Sequence, residues 1–242
     1  MATAVLSATG LHKRFGALVV LDGVDFALGE AESVGIVGPN GAGKTTLLNV
    51  LAGTYPPERG SVMFRGSDVT RMRAARRCRL GIGRAHQVPR PFAGMTVFEN
   101  VFVGAATGGR HGRRAACDRV IEVLELCGMT ELANRQADSL GLLDRKRLEL
   151  ARALATEPAV LLLDEIGAGL TDEEAIALVA TITELRRQGI AIVWIEHIVH
   201  ILVQGIDRLI AMNAGRVISE GDPQTVMKDA AVVDAYLGST AA

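Results

Sequence analysis

Residues 38–46 are Gly38-Pro39-Asn40-Gly41-Ala42-Gly43-Lys44-Thr45-Thr46, and they match the phosphate-binding pattern G-x-x-x-x-G-K-[ST] at every fixed position. The apolar run Ser33–Val37 precedes them and predicts a buried strand, and residues 47–52 predict a helix. Strand, glycine loop and helix in this order are the context that the motif requires. The alternative is a glycine turn without a ligand, but the agreement between motif and context favours a nucleotide site.

The residue types of this loop suit phosphate. Glycine allows backbone conformations that other residues avoid, and free N–H groups at a helix N-terminus form an anion site. Lys44 is predicted to reach the β- and γ-phosphates, and Thr45 to place its hydroxyl on Mg²⁺. We therefore expect residues 38–46 to bind a nucleotide together with Mg²⁺.

The composition limits the class of protein. Of the 242 residues, 49% are hydrophobic and only 4% aromatic, so the core must be aliphatic. The formal net charge of −1 argues against general nucleic-acid binding. Cys78, Cys117 and Cys127 form no C-x-x-C pair, which is typical of a reducing cytosol. The chain begins without signal-peptide order, and no apolar run approaches the roughly 18 residues that span a bilayer, so we expect no membrane span.

The N-terminal third combines strand signals with a basic segment. Residues 4–37 are predicted to form a small antiparallel β region, with strands at Val5–Ala8 and Val24–Leu28. Phe15 lies between these strands and could stack on adenine, although the pattern alone favours an ordinary half-buried aromatic. Residues 60–66 predict another short strand.

A basic cluster follows this strand and consists of Arg71, Arg73, Arg76, Arg77, Arg79 and Arg84. Such a cluster could bind phosphate or lipid headgroups, but it is more typical of a solvated helix face.

Helical periodicity replaces the strand signals from residue 93 to about residue 157. The glycine- and arginine-rich stretch 107–114 interrupts it and predicts an exposed loop. We therefore predict an α/β fold in one domain, residues 1–242. Its core is formed by residues 1–88 and 158–242, and a helical subdomain, residues 89–157, is inserted into it.

Polar residues follow two buried strands in the last third of the chain. Ala159–Leu163 leads into Asp164 and Glu165, residues 172–187 predict a helix, and a second aliphatic run at 190–195 leads towards His197. Open α/β sheets bind ligands at the carboxyl ends of their strands. Asp164 is predicted to hold Mg²⁺ through water, Glu165 to polarise an attacking water, and His197 to touch a γ-phosphate. Carboxylates also end strands for solubility, and a single histidine is usually structural, but the phosphate loop favours the functional roles.

The order of these motifs over essentially the whole chain resembles the nucleotide-binding subunit of ABC transporters. The elements that carry the resemblance are the phosphate loop, Gln87, the helical insert, Asp164-Glu165 and His197. Further segments are similar to the subunits of branched-chain amino-acid importers: Gly81–Gln87, Pro89–Phe92, Met95–Val101, Glu196-His197, Gly215–Val217, Gly221–Pro223 and Ala235–Gly238.

The resemblance implies an ATPase with a P-loop core of the ABC type, which binds ATP and Mg²⁺. It implies Phe15 as the aromatic that stacks on adenine and Gln87 as the sensor of Mg²⁺ and water. Its implied partners are transmembrane permease subunits, a second ATPase subunit in a head-to-tail dimer and, indirectly, an extracytoplasmic binding protein. The chain would lie on the cytoplasmic face of the membrane, held there by the permease. A soluble protein that acts on nucleic acid is disfavoured, because such relatives usually carry two nucleotide domains or long insertions.

One departure concerns the family signature, usually Leu-Ser-Gly-Gly-Gln. Aligning the basic tail of the signature on Lys146-Arg147 places Leu140-Gly141-Leu142-Leu143-Asp144 there, without the serine and the glycine pair. Losing a hydrogen bond to a charged group costs about 1.5–3 kcal/mol. Thr171 is a second departure, where an aspartate is common. Three readings stay open: an import ATPase, a half-site or regulatory subunit of a heterodimer, and a lipid-export ATPase.

Overall fold

The computed structural model describes residues 4–108, 112–196 and 198–237. The strands within them are β1 (Leu6–Phe15), β2 (Leu18–Leu28), β3 (Ser33–Val37), β4 (Arg59–Phe64), β5 (Ser67–Asp68), β6 (Ile82–Ala85), β7 (Val160–Asp164), β8 (Ala191–Ile195), β9 (Arg208–Asn213) and β10 (Arg216–Gly221). The helices there are α1 (Lys44–Ala52), α2 (Ala74–Leu80), α3 (Val97–Gly108), α4 (Arg113–Leu126), α5 (Leu142–Leu154), α6 (Asp172–Arg187), α7 (Val199–Leu202), α8 (Pro223–Val226) and α9 (Ala230–Leu237). None of these described helices is both long and apolar enough to cross a bilayer.

The larger sheet has the strand order β10-β9-β3-β8-β7-β6. Its neighbouring strands are parallel, except that β10 runs antiparallel to β9. Every residue of β3, β7 and β8 is buried, which confirms that these aliphatic runs form strands covered on both faces. Because β8 alone separates β3 from β7, the loop after β3 and the acidic end of β7 meet at one edge of the sheet.

The smaller sheet is antiparallel and has the order β2-β1-β4-β5. The antiparallel region predicted over residues 4–37 is confirmed for β1 and β2 but is wrong for β3, which pairs with β8 and β9. The first strand was also predicted too short, since β1 continues to Phe15. A bulge near Gly10 hides this continuity in the sequence: Gly10 has φ 57°, and its N–H donates to Asp25 Oδ1 at 2.7 Å.

Helices α3, α4 and α5 lie between β6 and β7 and pack around a shared apolar core that includes Val101, Val120 and Leu148. Among the described residues between β6 and β7, β-pairing is limited to an isolated bridge between Thr96 and Gln136. The helical character predicted here is confirmed, while the subdomain boundaries 89–157 stay a prediction. The prediction of an exposed loop at 107–114 is wrong at both ends, because residues 107–108 belong to α3 and residues 113–114 to α4. Residues 109–111 lie outside the described residues.

Arg77 is fully buried in α2, so the predicted solvated helix face is wrong for this member of the basic cluster. Its guanidinium donates to the backbone oxygens of Val50 and Leu51 at 2.8 Å, and of Thr70 and Met72 at 3.1 Å. Val50 and Leu51 lie in the last turn of α1, where the carbonyl groups carry partial negative charge. Burial lowers the pKa of Arg77 to about 10. Arg77 therefore ties α2 to the end of the phosphate-loop helix.

We expect Arg77→Met to lower the free energy of unfolding by about 3 kcal/mol or more, because it leaves several buried carbonyls without a donor. Urea unfolding followed by circular dichroism measures this change. Arg76→Met is the matched control, since Arg76 is exposed on the same helix. Equal unfolding midpoints for the two variants would contradict the capping role of Arg77.

Candidate nucleotide-binding site

The phosphate loop joins β3 to α1 and is tightly enclosed by backbone. A Cβ atom at Gly43 would lie 2.5 Å from the carbonyl oxygen of Val20, and one at Gly38 would overlap the carbonyl oxygen of Met212. Gly43 also has φ 100°, a left-handed conformation that favours glycine. It caps α1 without a side-chain hydrogen bond, so the first N–H groups of the helix receive no side-chain cap from this position. The loop thus offers the backbone donors that an anion requires.

Lys44 is buried, and its ammonium closes over the loop. Its Nζ donates to Gly38 O at 2.7 Å and to Pro39 O at 3.0 Å. Burial lowers the pKa of Lys44, and the nearby carboxylates of Glu165 and Asp164 oppose that effect. The ammonium of Lys44 is therefore held at the loop cavity, where a bound phosphate would lie near it.

Asp164 ends β7 and faces the start of α1. Thr45 Oγ1 donates to Asp164 Oδ1 at 3.4 Å, and Arg84 Nη2 donates to Asp164 Oδ2 at 2.8 Å. The contact with Asp164 also makes the predicted solvated face wrong for Arg84. Mg²⁺ is usually bound by hard oxygen ligands, commonly one or two protein groups together with phosphate oxygens. The hydroxyl of Thr45 and the carboxylate of Asp164 fit that ligand set.

Glu165 and Gln87 are in direct contact. Gln87 Nε2 donates a hydrogen bond to Glu165 Oε2. Glu165 has φ 48°, a conformation that costs a non-glycine residue about 1–3 kcal/mol, and its N–H donates to Ile195 O at 2.9 Å. The backbone after β7 is thus held in a strained turn that presents the Glu165 carboxylate beside the loop.

Most of the predicted site residues meet at this edge of the sheet. A cavity of about 180 Å³ is lined by Val20, by loop residues 40–46 and by Glu165. A cavity of about 440 Å³ is lined by Gln87 and Asp164, among others. The structure therefore brings the loop, Gln87, Asp164 and Glu165 together, although their individual roles stay predictions.

Phe15 lies apart from this cluster. Phe15 is 45% exposed at the end of β1, and its ring meets Tyr55 edge-on, with centroids 5.4 Å apart. Lys13 Nζ lies 5.3 Å from the centroid of the Phe15 ring. Phe15 does not line the loop cavity, so its stacking on adenine stays a prediction. His197 lies outside the described residues.

Sequence reasoning missed two buried charged residues that support the strained turn. Glu196 Oε1 accepts from the N–H of Gly167 at 2.6 Å and from Trp194 Nε1 at 3.2 Å. Lys146 Nζ donates to Glu165 O at 3.4 Å. Burial lowers the pKa of Lys146, while the carboxylates of Glu196 and Glu165 oppose that effect. The available signal for Glu196 was its place directly after a covered strand.

Helix α5 begins where the degenerate signature aligns. Gly141 is its N-cap residue, with extended backbone, no side-chain cap and open space around a Cβ atom built on it. Leu142 is 49% exposed in the first turn. Asp144 Oδ1 accepts from Arg147 Nη1 at 3.5 Å, so its charge is partly satisfied within its own helix. The helix start is thus open, but apolar groups replace the small residues of the usual signature.

This geometry defines a P-loop nucleotide-binding protein with a helical insertion. The chain belongs to the ABC transporter family, since the family described as "ABC transporter" matches residues 21–168. A family described as "Branched-chain amino acid ATP-binding cassette transporter" matches residues 216–242. Membership implies that the chain binds and hydrolyses ATP.

Curated relatives match over nearly the whole chain. The high-affinity branched-chain amino acid transport ATP-binding protein LivG of Escherichia coli (strain K12) is 37% identical over 98% of this chain and 99% of its own length. The corresponding protein BraF of Pseudomonas aeruginosa is 33% identical, with the same two coverages of 98% and 99%. The ADP conformation of MJ1267, an ATP-binding cassette of an ABC transporter, superposes with a TM-score of 0.89 at 31% identity and covers 98% of this chain and 100% of its own. The fold predicted from the sequence is therefore confirmed.

Proposed function

We propose that this chain converts ATP and water into ADP and phosphate, and that this reaction drives a membrane permease which imports branched-chain amino acids or related small solutes. The observation that supports it most is the convergence of Lys44, Asp164 and Glu165 around one loop at the edge of the parallel sheet. The names of the relatives and the match at residues 216–242 support the choice of solute.

Each residue then has a defined task. The loop N–H groups and Lys44 bind the β- and γ-phosphates, Thr45 and Asp164 hold Mg²⁺, and Phe15 stacks on adenine. Mg²⁺ supplies charge neutralisation at the phosphates. Glu165 orients the attacking water and takes its proton. The other predicted catalytic residues are Gln87, as a second contact for Mg²⁺ and water, and His197, as a contact for the γ-phosphate.

The proposed partners follow from the family. A second ATPase subunit would supply its signature to the ATP bound here, and permease subunits would dock beside Gln87. An extracytoplasmic binding protein would deliver the solute to the permease. The chain would thus lie on the cytoplasmic face of the membrane without entering the bilayer.

The test is Mg²⁺-dependent ATP turnover measured against protein concentration, with Glu165→Gln as the blank. Turnover that rises more than linearly and vanishes in the blank is the result expected of a working homodimer. Uptake of labelled leucine by cells that carry only the Lys44→Ala chain tests the solute, and wild-type uptake in those cells would contradict it.

The signature favours a second candidate, an ATP-binding half-site in a heterodimer. Leu142 and Leu143 occupy the first turn of α5, where backbone would have to approach phosphate closely. In this case the chain binds ATP with its own loop and relies on a partner subunit for a complete signature. Tight ATP binding without turnover above the blank is the result that would favour this candidate.

Restoring the signature with the double substitution Gly141→Ser and Leu143→Gly is expected to raise ATP turnover by about tenfold or more. The serine has space at the N-cap of α5, where it also suits the helix, and it regains a hydrogen bond to phosphate worth about 1.5–3 kcal/mol. Steady-state phosphate release measures the gain, with Glu165→Gln added to the double variant as its blank. Unchanged turnover would refute a weakened signature.

A further inference from the structure

Arg84 is a nearly buried arginine whose contacts are all at the proposed metal site or next to it. Its side chain is 11% exposed, and that of its partner Asp164 is 5% exposed. The Nη2 group donates to Asp164 Oδ2 at 2.8 Å, and the Nη1 group donates to Asn49 Oδ1 at 2.7 Å, with Thr54 Oγ1 at 3.5 Å. Among the described residues, its buried Nε has no hydrogen-bond partner. The guanidinium is therefore fixed by its two Nη groups.

These contacts form a closed ring with the proposed metal ligands. Asn49 Nδ2 donates to Thr45 O at 2.7 Å, and Thr45 Oγ1 donates to Asp164 Oδ1 at 3.4 Å. The ring links β6, β7 and α1. Each carboxylate oxygen of Asp164 thus has its own partner, with Arg84 on Oδ2 and Thr45 on Oδ1.

We propose that Arg84 is a positioning residue for Mg²⁺ binding, which holds Asp164 Oδ2 so that Oδ1 faces Thr45. This inference rests on the proposed function, in which Thr45 and Asp164 hold the ion. The ring sets the direction of the carboxylate before Mg²⁺ arrives with the nucleotide, so binding need not reorient it. Groups that orient the ligands of a metal in this way typically contribute about 10–100-fold to metal affinity.

Charge explains why an arginine suits this position. A carboxylate as buried as that of Asp164 is costly without a partner. Lys44 also attracts Asp164, but its ammonium is needed at the phosphates. Arg84, on β6, donates a hydrogen bond to the carboxylate of Asp164. The ammonium of Lys44 therefore stays available for the loop and its phosphates. A lysine at position 84 would keep the charge but lacks the planar fork that contacts Asn49 and Asp164 at once.

The experiment measures the affinity of the purified full chain for a fluorescent ADP analogue in Mg²⁺ and in EDTA. The Mg²⁺ increment is the dissociation constant in EDTA divided by the dissociation constant in Mg²⁺. We expect Arg84→Gln to reduce the increment by about tenfold, with the dissociation constant in EDTA unchanged. Arg79→Gln is the control with the same change of charge, since Arg79 is exposed on α2 and should keep the wild-type increment.

Two further variants decide between outcomes. Asp164→Asn gives the Mg²⁺ increment that is left when Asp164 cannot act as a metal ligand. A wild-type increment in that variant would refute the metal role of Asp164 itself. If Asp164→Asn loses the increment while Arg84→Gln keeps or enlarges it, the positioning role of Arg84 is overturned, and an enlarged increment would identify Arg84 as a competitor of the ion. Should Arg84→Gln fail to fold, Arg84→Lys decides: a reduced increment at unchanged EDTA affinity supports the proposal, and a wild-type increment overturns it.

Discussion

Replacing Lys44 by alanine is expected to abolish ATP binding and turnover. The variant removes the cation that closes over the loop and its hydrogen bonds to Gly38 O and Pro39 O. Each hydrogen bond from such a cation to a phosphate contributes about 1.5–3 kcal/mol. We expect Lys44 to make one such bond to the β-phosphate and one to the γ-phosphate. Losing both corresponds to a loss of affinity of about a hundredfold or more. Equilibrium titration with a fluorescent ATP analogue measures the loss.

The control for this prediction separates binding from folding. Lys228→Ala removes the same charge from the segment that follows α8 and should bind the analogue like the wild type. Circular dichroism of Lys44→Ala without nucleotide shows whether the variant is folded, so that a loss of binding is separated from a loss of folding. An affinity within threefold of the wild type would exclude Lys44 from phosphate binding.

The second large effect is expected of Glu165→Gln, which should retain ATP binding and lose hydrolysis by about 10²–10⁴-fold, the usual contribution of a general base. The amide keeps the shape of the side chain and an oxygen that can accept from Gln87, so the strained turn persists. It cannot take a proton from water. Chains that bind ATP without consuming it should accumulate as a dimer, which size-exclusion chromatography with ATP and Mg²⁺ detects.

Glu173→Gln is the matched control, since Glu173 is exposed in the first turn of α6. It removes one carboxylate without touching the loop, so turnover and elution should match the wild type. Persistent wild-type turnover in Glu165→Gln would transfer the role of base to another group. Lost ATP binding in that variant would instead show that the turn after β7 supports the loop.

The sequence predicted those parts of the molecule whose signals are local. The phosphate loop is a contiguous pattern, and the covered strands are contiguous aliphatic runs. Helix α6 was predicted at residues 172–187 and is found there. Thr171, noted as a departure from the family, caps this helix: its hydroxyl accepts from the N–H of Glu174, whose side chain accepts from the N–H of Thr171.

The parts that escaped prediction depend on contacts between distant segments. Arg77 and Arg84 belong to one basic cluster in the sequence, yet one caps α1 and the other binds Asp164. Arg84 and Asp164 are 80 positions apart, and only the pairing of β6 with β7 brings them together. A window of residues cannot separate these two arginines from their exposed neighbours, because the acceptors lie on other elements.

The position of β3 in the larger sheet has a consequence for synthesis of the protein. Both of its neighbours, β8 and β9, come from the last quarter of the chain, and the N–H of Ser33 donates to Asp207, 174 positions away. Contacts of such long range form late, because loop closure must precede them. A ribosome that has translated residues 38–46 has made the nucleotide motif but not the sheet that supports it. The nascent chain therefore gains its affinity for ATP only after β8 and β9 have been synthesised.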